Sequence, residues 1–248
     1  MPESGGEAVV IYGTGGIGKT SLAALAPKPV FFDLDLGAGK YRGADGSKLK
    51  GVPNIEEFGT LRAALHDTAA FVDYKTIVID SATALQQLAE RHVIETVPHE
   101  KGNRIRSIED YGFGKGYQHI LEAFRLVLSD LDTHRRAGRH VVLVAHSLTC
   151  MVPNPEGEDF LQYQPDLQEP PKTGRIRSAV RNWCDHLVYI GADIAVEHGV
   201  ALGCGSRAIY CQEMPHYWAK SRTLSESILY AKGDDTFWLQ LLGARANG

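Results

Sequence analysis

Near the N-terminus, Val9-Val10-Ile11-Tyr12 runs into Gly13-Thr14-Gly15-Gly16-Ile17-Gly18-Lys19-Thr20, and Ser21-Leu22-Ala23-Ala24-Leu25 follows. An apolar run, then G-x-x-x-x-G-K-[ST], then a helix-forming stretch is the strand–loop–helix order of the phosphate-binding P-loop. Its glycines let consecutive N–H groups turn into one concavity, and the helix N-terminus adds partial positive charge. Gly13, Thr14, Gly15, Gly16, Ile17, Gly18, Lys19, Thr20 and Ser21 are the candidate nucleotide-binding residues. Lys19 would reach the β- and γ-phosphates, and the Thr20 hydroxyl would hold Mg²⁺. A Gly-rich turn before any helix is the ordinary alternative, but the eight-residue pattern matches in full. The chain is expected to bind a nucleoside triphosphate.

The chain has 248 residues, 44% of them hydrophobic and 23% charged, which suits one α/β domain and offers no obvious boundary for two. The expected division is a core over about residues 8–191 and a C-terminal β extension with a helix over about 192–248. A net charge of −4 argues against a globally basic nucleic-acid protein, so any DNA contact must come from local loops. Cys150, Cys184, Cys204 and Cys211 form no C-x-x-C, which points away from disulfide or zinc use and toward a reducing cytoplasm. Apolar runs such as residues 141–145 are too short to span a bilayer, and residues 1–8 lack a signal-peptide layout. The expected location is cytoplasmic, with no membrane partner.

Further along, Val30-Phe31-Phe32-Asp33 reads as a second strand and residues 37–51 as a Gly-rich loop. Phe58, Leu61, Leu65 and Val72 fall near one helical face. Thr76-Ile77-Val78-Ile79-Asp80 is a strand ending in a carboxylate, and residues 82–97 carry a helical pattern closed by Pro98. Ile120, Phe124, Val127, Leu128 and Leu131 mark an amphipathic helix ended by Gly138, and Val141-Val142-Leu143-Val144-Ala145 is a buried strand with His146 at its end. Strand–helix alternation of this kind implies right-handed crossovers and a mostly parallel sheet covered on both faces. Beyond it, residues 148–152 and 160–164 flank Asn154-Pro155-Glu156-Gly157-Glu158 as a protruding hairpin. A helix near residues 175–184, strands near 187–190 and 208–212, and a terminal helix at 236–242 complete the reading.

Asp80 is the natural second Mg²⁺ ligand, since P-loop enzymes place an acid after an apolar strand. Taken alone, such an Asp caps a helix as often as it binds metal; about 60 residues after a P-loop, the metal role prevails. Hydrolysis also needs a carboxylate for the attacking water. Asp33 and Asp35 lie at the end of the second strand, on the sheet edge where ligands bind, with loop solvation or capping as their other role. His146 either donates to the γ-phosphate or is a structural strand-end histidine.

These residues resemble the RecA-like core ATPases, and more closely the short phage-encoded RecA-core proteins that act as single-strand annealing recombinases. The resemblance covers nearly the whole chain. It rests on residues 13–20, on TIVIDSATAL at 76–85, and on Phe31-Phe32-Asp33-Leu34-Asp35. It implies a RecA-like P-loop fold, with a mostly parallel core sheet, helices on both faces and a C-terminal antiparallel β extension. It equates Asp35 with the family's catalytic glutamate, makes His146 the γ-phosphate sensor, and makes Lys220 and Arg222 of Lys220-Ser221-Arg222 fingers reaching a neighbour's γ-phosphate. By chemistry alone, two bases at i and i+2 merely share a strand face. The resemblance also places DNA-contacting loops at about 98–116 and 147–175. The first offers Lys101, Arg104, Arg106 and Lys115 among Tyr111 and Phe113; the second, with the helix after it, offers Lys172, Arg175, Arg177 and Arg181. Bases neutralise phosphates and aromatics stack on unpaired bases, although Glu156, Glu158 and Asp159 oppose such contact.

The implied function is an oligomeric, ATP- and Mg²⁺-dependent, single-stranded-DNA-binding ATPase that promotes strand annealing or pairing in phage-type recombination. Its partners would be single-stranded DNA, copies of itself and a single-strand-binding protein, in a host cytoplasm. The rivals are a hexameric helicase-like translocase and a nucleotide-switched assembly protein that binds no DNA.

Overall fold

A computed structural model describes residues 5–53, 55–197 and 200–243. Val9-Val10-Ile11-Tyr12 lies within β1 (Ala8–Gly13), and every residue of that strand is buried. The Gly-rich loop then opens α1 (Lys19–Ala24), and β2 (Pro29–Asp33) follows. Most of the Gly-rich stretch is loop, ending in the short edge strand β3 (Lys50–Gly51).

Helix α2 (Phe58–His66) buries Phe58, Leu61 and Leu65. Val72 does not share that face. Asp67 accepts a bond from the Ala70 N–H and caps a separate 3₁₀ turn, Thr68–Phe71, so Phe71 takes the buried position and Val72 is exposed. Next come β4 (Thr76–Asp80) and α3 (Ala82–Thr96), whose first turn is capped by the Ser81 side chain. The amphipathic segment is α4 (Lys115–Arg136), with Ile120, Phe124, Val127, Leu128 and Leu131 inward.

Strand β5 (His140–Val152) is longer than its apolar run and passes straight through His146. Up to His146 it pairs in parallel with β1; from Ser147 to Val152 it pairs antiparallel with β6 (Phe160–Pro165), forming the expected hairpin. Helix α5 (Ile176–Trp183), β7 (His186–Glu197), β8 (Val200–Tyr210), β9 (Ile228–Tyr230) and α6 (Thr236–Gly243) follow.

One sheet results, in the order β3-β2-β4-β5-β1-β7-β8-β9, with β6 on the far half of β5. Pairing is parallel from β3 to β7 and antiparallel from β7 to β9, as expected of a mostly parallel core with a C-terminal antiparallel extension. Alternation along β1 serves two cores. Ala8, Val10 and Tyr12 face the layer of α2, α3 and α4, whereas Val9 and Ile11 face α1 and α6. Burial of a central strand on both faces explains its unbroken apolar sequence. Among the described residues no helix is long and apolar enough to cross a membrane.

Candidate nucleotide-binding and catalytic site

The C-terminal ends of β1, β2, β4 and the parallel half of β5 form one edge. Two glycines show why the loop on it is built as it is. A Cβ on Gly13 would stand 2.5 Å from the Ile190 carbonyl oxygen. Gly18 caps α1 at φ 115°, and a Cβ there would meet the Tyr230 ring at 2.9 Å. The Lys19 ammonium is buried and donates to the carbonyls of Gly13 (3.0 Å) and Thr14 (2.9 Å). Burial lowers its pKa, an effect opposed by Asp80 and Asp35.

Thr20 and Asp80 come together. The Thr20 hydroxyl donates to Asp80 Oδ2 at 2.7 Å. Burial pushes the Asp80 carboxyl up to about 6, opposed by the Thr20 bond and reinforced by Asp35 and Asp33. The loop after β2 is pinned to the same place, with the Leu34 N–H donating to the Asp80 carbonyl at 2.7 Å. That contact sets Asp35 beside His146, with Oδ2 3.7 Å from Nε2, both side chains open to solvent. Asp33 accepts the Gly37 N–H at 2.9 Å and so braces this loop. Lys19, Thr20, Asp80, Asp35 and His146 therefore share one edge.

Lys220 and Arg222 do not join them. The Lys220 backbone bridges Leu187, near the start of β7, and Arg222 pairs with Asp185 Oδ1 at 3.2 Å. Gly13 is level with Ile190, so Asp185 lies roughly 17 Å down the strand at ~3.3 Å per residue. Leu187, the partner of Lys220, lies about 10 Å down by the same count. Each span exceeds the reach of the side chain concerned, so neither residue touches the P-loop of its own chain.

Two residues that sequence reasoning missed brace the P-loop from β8 and β9. Arg207 Nη1 donates to the Ile17 carbonyl (2.9 Å) and the Tyr230 hydroxyl to the Gly18 carbonyl (3.1 Å). They lie 190 and 212 residues from their partners, and no local spacing signals them.

The profile of the AAA domain family matches residues 6–223. The chain belongs to the AAA domain family. AAA domains are P-loop ATPases, and the edge just described carries this one's P-loop. No curated protein matches the chain. Among solved structures, a KaiC-like protein from the hyperthermophilic archaeon Pyrococcus horikoshii is similar, at 11% identity and a TM-score of 0.44, over 92% of this chain and 86% of that one. The flagellar accessory protein FlaH of Methanocaldococcus jannaschii has 12% identity and a TM-score of 0.44, over 92% and 85%.

The two basic segments of this AAA domain meet at the start of α4. Gln168 Nε2 donates to the carbonyls of Tyr117 (2.9 Å) and Gly174 (2.6 Å), and Thr173 bonds Gln118. Lys101, Arg104, Arg106, Lys172 and Arg175 are exposed there, with the Arg175 guanidinium on the carbonyls of Pro170 and Pro171. Lys115 is exposed but paired with Glu100 at 2.6 Å.

Two expectations are corrected. Arg177 is buried, donating to the Leu167 carbonyl (2.8 Å) and Gln164 Oε1 (2.7 Å), so it is no phosphate contact but a strut under the hairpin. Tyr111 is buried with its hydroxyl on the Val93 and Val97 carbonyls, leaving Phe113 as the exposed aromatic of that loop. Replacing Arg177 by alanine strands those acceptors and is expected to cost about 2–3 kcal/mol in chemical denaturation, without touching an exposed basic surface. An unchanged unfolding midpoint contradicts the strut.

Asp80 gives a second test. Its folded pKa lies above the usual ~3.9, so the folded state binds more protons between about pH 4 and 6 and stability falls as pH rises through that window. At pH 7 Asp80→Asn is expected to stabilise the nucleotide-free protein by about 1–3 kcal/mol, because the amide keeps the Thr20 bond without the buried charge. A lower melting temperature for the variant contradicts this origin of the shift.

Proposed function

We propose that this AAA domain is a RecA-like ATPase that uses ATP and Mg²⁺, binds single-stranded DNA, and promotes strand annealing or pairing, with each active site shared between neighbouring copies. One observation carries the reading. His146 stands beside Asp35 at the triphosphate edge, at the point where β5 leaves the parallel sheet and becomes an arm of the hairpin. A change at the γ-phosphate therefore has a continuous strand leading toward the second basic segment.

The residues fit a Mg²⁺ ion. Thr20 and Asp80 offer two hard oxygens 2.7 Å apart, and no group of three or more metal-binding side chains gathers among the described residues. Magnesium suits such a place, since it keeps waters and takes one or two protein oxygens plus phosphates. When bound, it neutralises charge on the phosphate oxygens. Lys19 exchanges its carbonyl partners for the β- and γ-phosphates. Asp35 takes a proton from water as the water oxygen bonds to the γ-phosphorus; the bond to the β–γ bridging oxygen breaks, and ADP leaves with that electron pair. His146 donates to the γ-phosphate. Lys220 and Arg222, out of reach of their own P-loop, stabilise the charge at the neighbour's.

The exposed bases at 101–106 and 172–175 give DNA phosphates their counter-charges, and Phe113 offers a face to an unpaired base. Anisotropy of a labelled single-stranded oligonucleotide tests this, with and without ATP, across a salt series. The expected result is ATP-dependent binding that weakens steeply with salt. Salt-insensitive or absent binding under every nucleotide condition contradicts it and leaves a nucleotide-switched assembly protein; directional unwinding of a duplex leaves a translocase.

A further inference from the structure

Lys220-Ser221-Arg222 is held residue by residue against Asp185-His186-Leu187, where β7 begins. The Lys220 N–H and carbonyl exchange bonds with Leu187 at 2.9 and 2.8 Å. His186 Nδ1 lies 2.8 Å from the Ser221 hydroxyl, and Asp185 Oδ1 lies 3.2 Å from the Arg222 guanidinium. Each pair is one step along the same antiparallel register. Lys220 and Arg222 therefore share one face and Ser221 takes the other.

Ser221 ties this segment to the interior. Its Oγ accepts the Leu224 N–H at 2.9 Å and the Thr223 N–H at 3.3 Å. With both lone pairs engaged, the hydroxyl proton goes to His186 Nδ1. The neutral ring then carries its own proton on Nε2 and donates it to Glu7 Oε2 at 3.3 Å. His186 and Glu7 are both buried, beside the start of β1. A buried carboxylate thus orients the imidazole, and the imidazole orients the serine. Acid, histidine and hydroxyl stand in the order of a nucleophilic triad, but the occupied lone pairs leave Ser221 no nucleophile.

We infer that Glu7, His186 and Ser221 form a positioning chain that sets Lys220 and Arg222 toward a neighbouring copy's triphosphate. The three act through the two bases on either side of Ser221 and touch no nucleotide themselves. The inference rests on the shared-site reading proposed above. Asp185 supplies the resting place for Arg222. Its Oδ2 already holds the Ala8 N–H at 3.0 Å and the Arg135 guanidinium, so the carboxylate keeps partners when Arg222 leaves. The Arg222 side chain is 72% exposed and moves between the two acceptors, while its backbone stays pinned beside Ser221.

Steady-state phosphate release from Mg-ATP by the full chain tests this, with Ser221→Ala, Ser221→Thr and His186→Leu beside Arg222→Ala. Ser221→Ala and His186→Leu are expected to lower kcat about 10- to 100-fold with ATP affinity unchanged, since a displaced base misses the developing charge. Ser221→Thr keeps the hydroxyl and is expected to stay close to the wild type. Complementation is the deciding readout. Lys19→Ala subunits bring an intact Ser221, so mixing them with Ser221→Ala subunits before assembly should raise turnover above the mean of the two. A defect in the variant's own P-loop or fold does not recover in this way. Unchanged kcat in both Ser221→Ala and His186→Leu, with Arg222→Ala slow, overturns the chain and leaves the shared site. Equal loss in Ser221→Ala and Ser221→Thr also overturns it. So does a loss in Ser221→Ala that Lys19→Ala subunits do not recover, although they recover Arg222→Ala. Failure of Arg222→Ala itself to recover overturns the shared-site reading, and the chain with it.

Discussion

Replacing Lys19 by alanine is expected to lower ATP affinity by about 100-fold or more, equivalent to losing roughly 3 kcal/mol of charge-assisted contact with the triphosphate. The ammonium is poised for this. It is buried, burial lowers its pKa against the pull of Asp80 and Asp35, and among the described residues it donates to the carbonyls of Gly13 and Thr14. A triphosphate brings negative charge directly onto the ammonium, where the two carbonyls offer only dipoles. The fold should survive, because the alanine leaves α1 intact and ends a burial that opposes the charge. Titration with a fluorescent ATP analogue reads the affinity and thermal melting reads the fold. Retained affinity in a folded variant contradicts the P-loop assignment.

The second large effect is expected at Asp35. Asp35→Asn should bind ATP like the wild type and hydrolyse it about 10²–10⁴ times more slowly, the range associated with a general base. The substitution keeps size and exposure, and the bonds that hold the loop do not use the Asp35 carboxylate: the Leu34 and Asp35 N–H groups donate to the Asp80 carbonyl, and Asp33 accepts the Gly37 N–H. Asp33→Asn is the matched control. It keeps an oxygen for the Gly37 N–H, and its turnover should stay close to the wild type. Steady-state phosphate release with parallel binding separates the two variants. Full activity in Asp35→Asn, or the greater loss in Asp33→Asn, assigns the base to another residue.

What could be read in advance was what the chain encodes locally. The P-loop is eight consecutive residues, and the strands at 76–80 and 141–145 are apolar on both faces, so each announces itself in a short window. His146 looked like a strand end because the apolar run stops there. The strand continues since its partner changes from β1 to β6, which no window around residue 146 contains. Arg177 read as a surface base, yet its acceptors at Leu167 and Gln164 fold beneath the hairpin and bury it. Tyr111 and Phe113 are two residues apart in one loop; the first is inside because its ring packs in the core and on His119 and its hydroxyl reaches the Val93 and Val97 carbonyls. Arg207 and Tyr230 escaped notice for the same reason, since what defines them is the back of a loop near the other end of the chain.

The placement of Lys220 and Arg222 opposite the P-loop edge makes a shared site the central claim, and mixing subunits tests it most directly. Lys19→Ala subunits retain their Arg222, and Arg222→Ala subunits retain their P-loop. Each variant alone is expected to show little ATP turnover. Mixed in equal amounts before assembly, they form interfaces where an intact P-loop meets an intact Arg222, and turnover should rise clearly above the mean of the two. A mixture no more active than that mean, although the subunits co-assemble, contradicts the shared site.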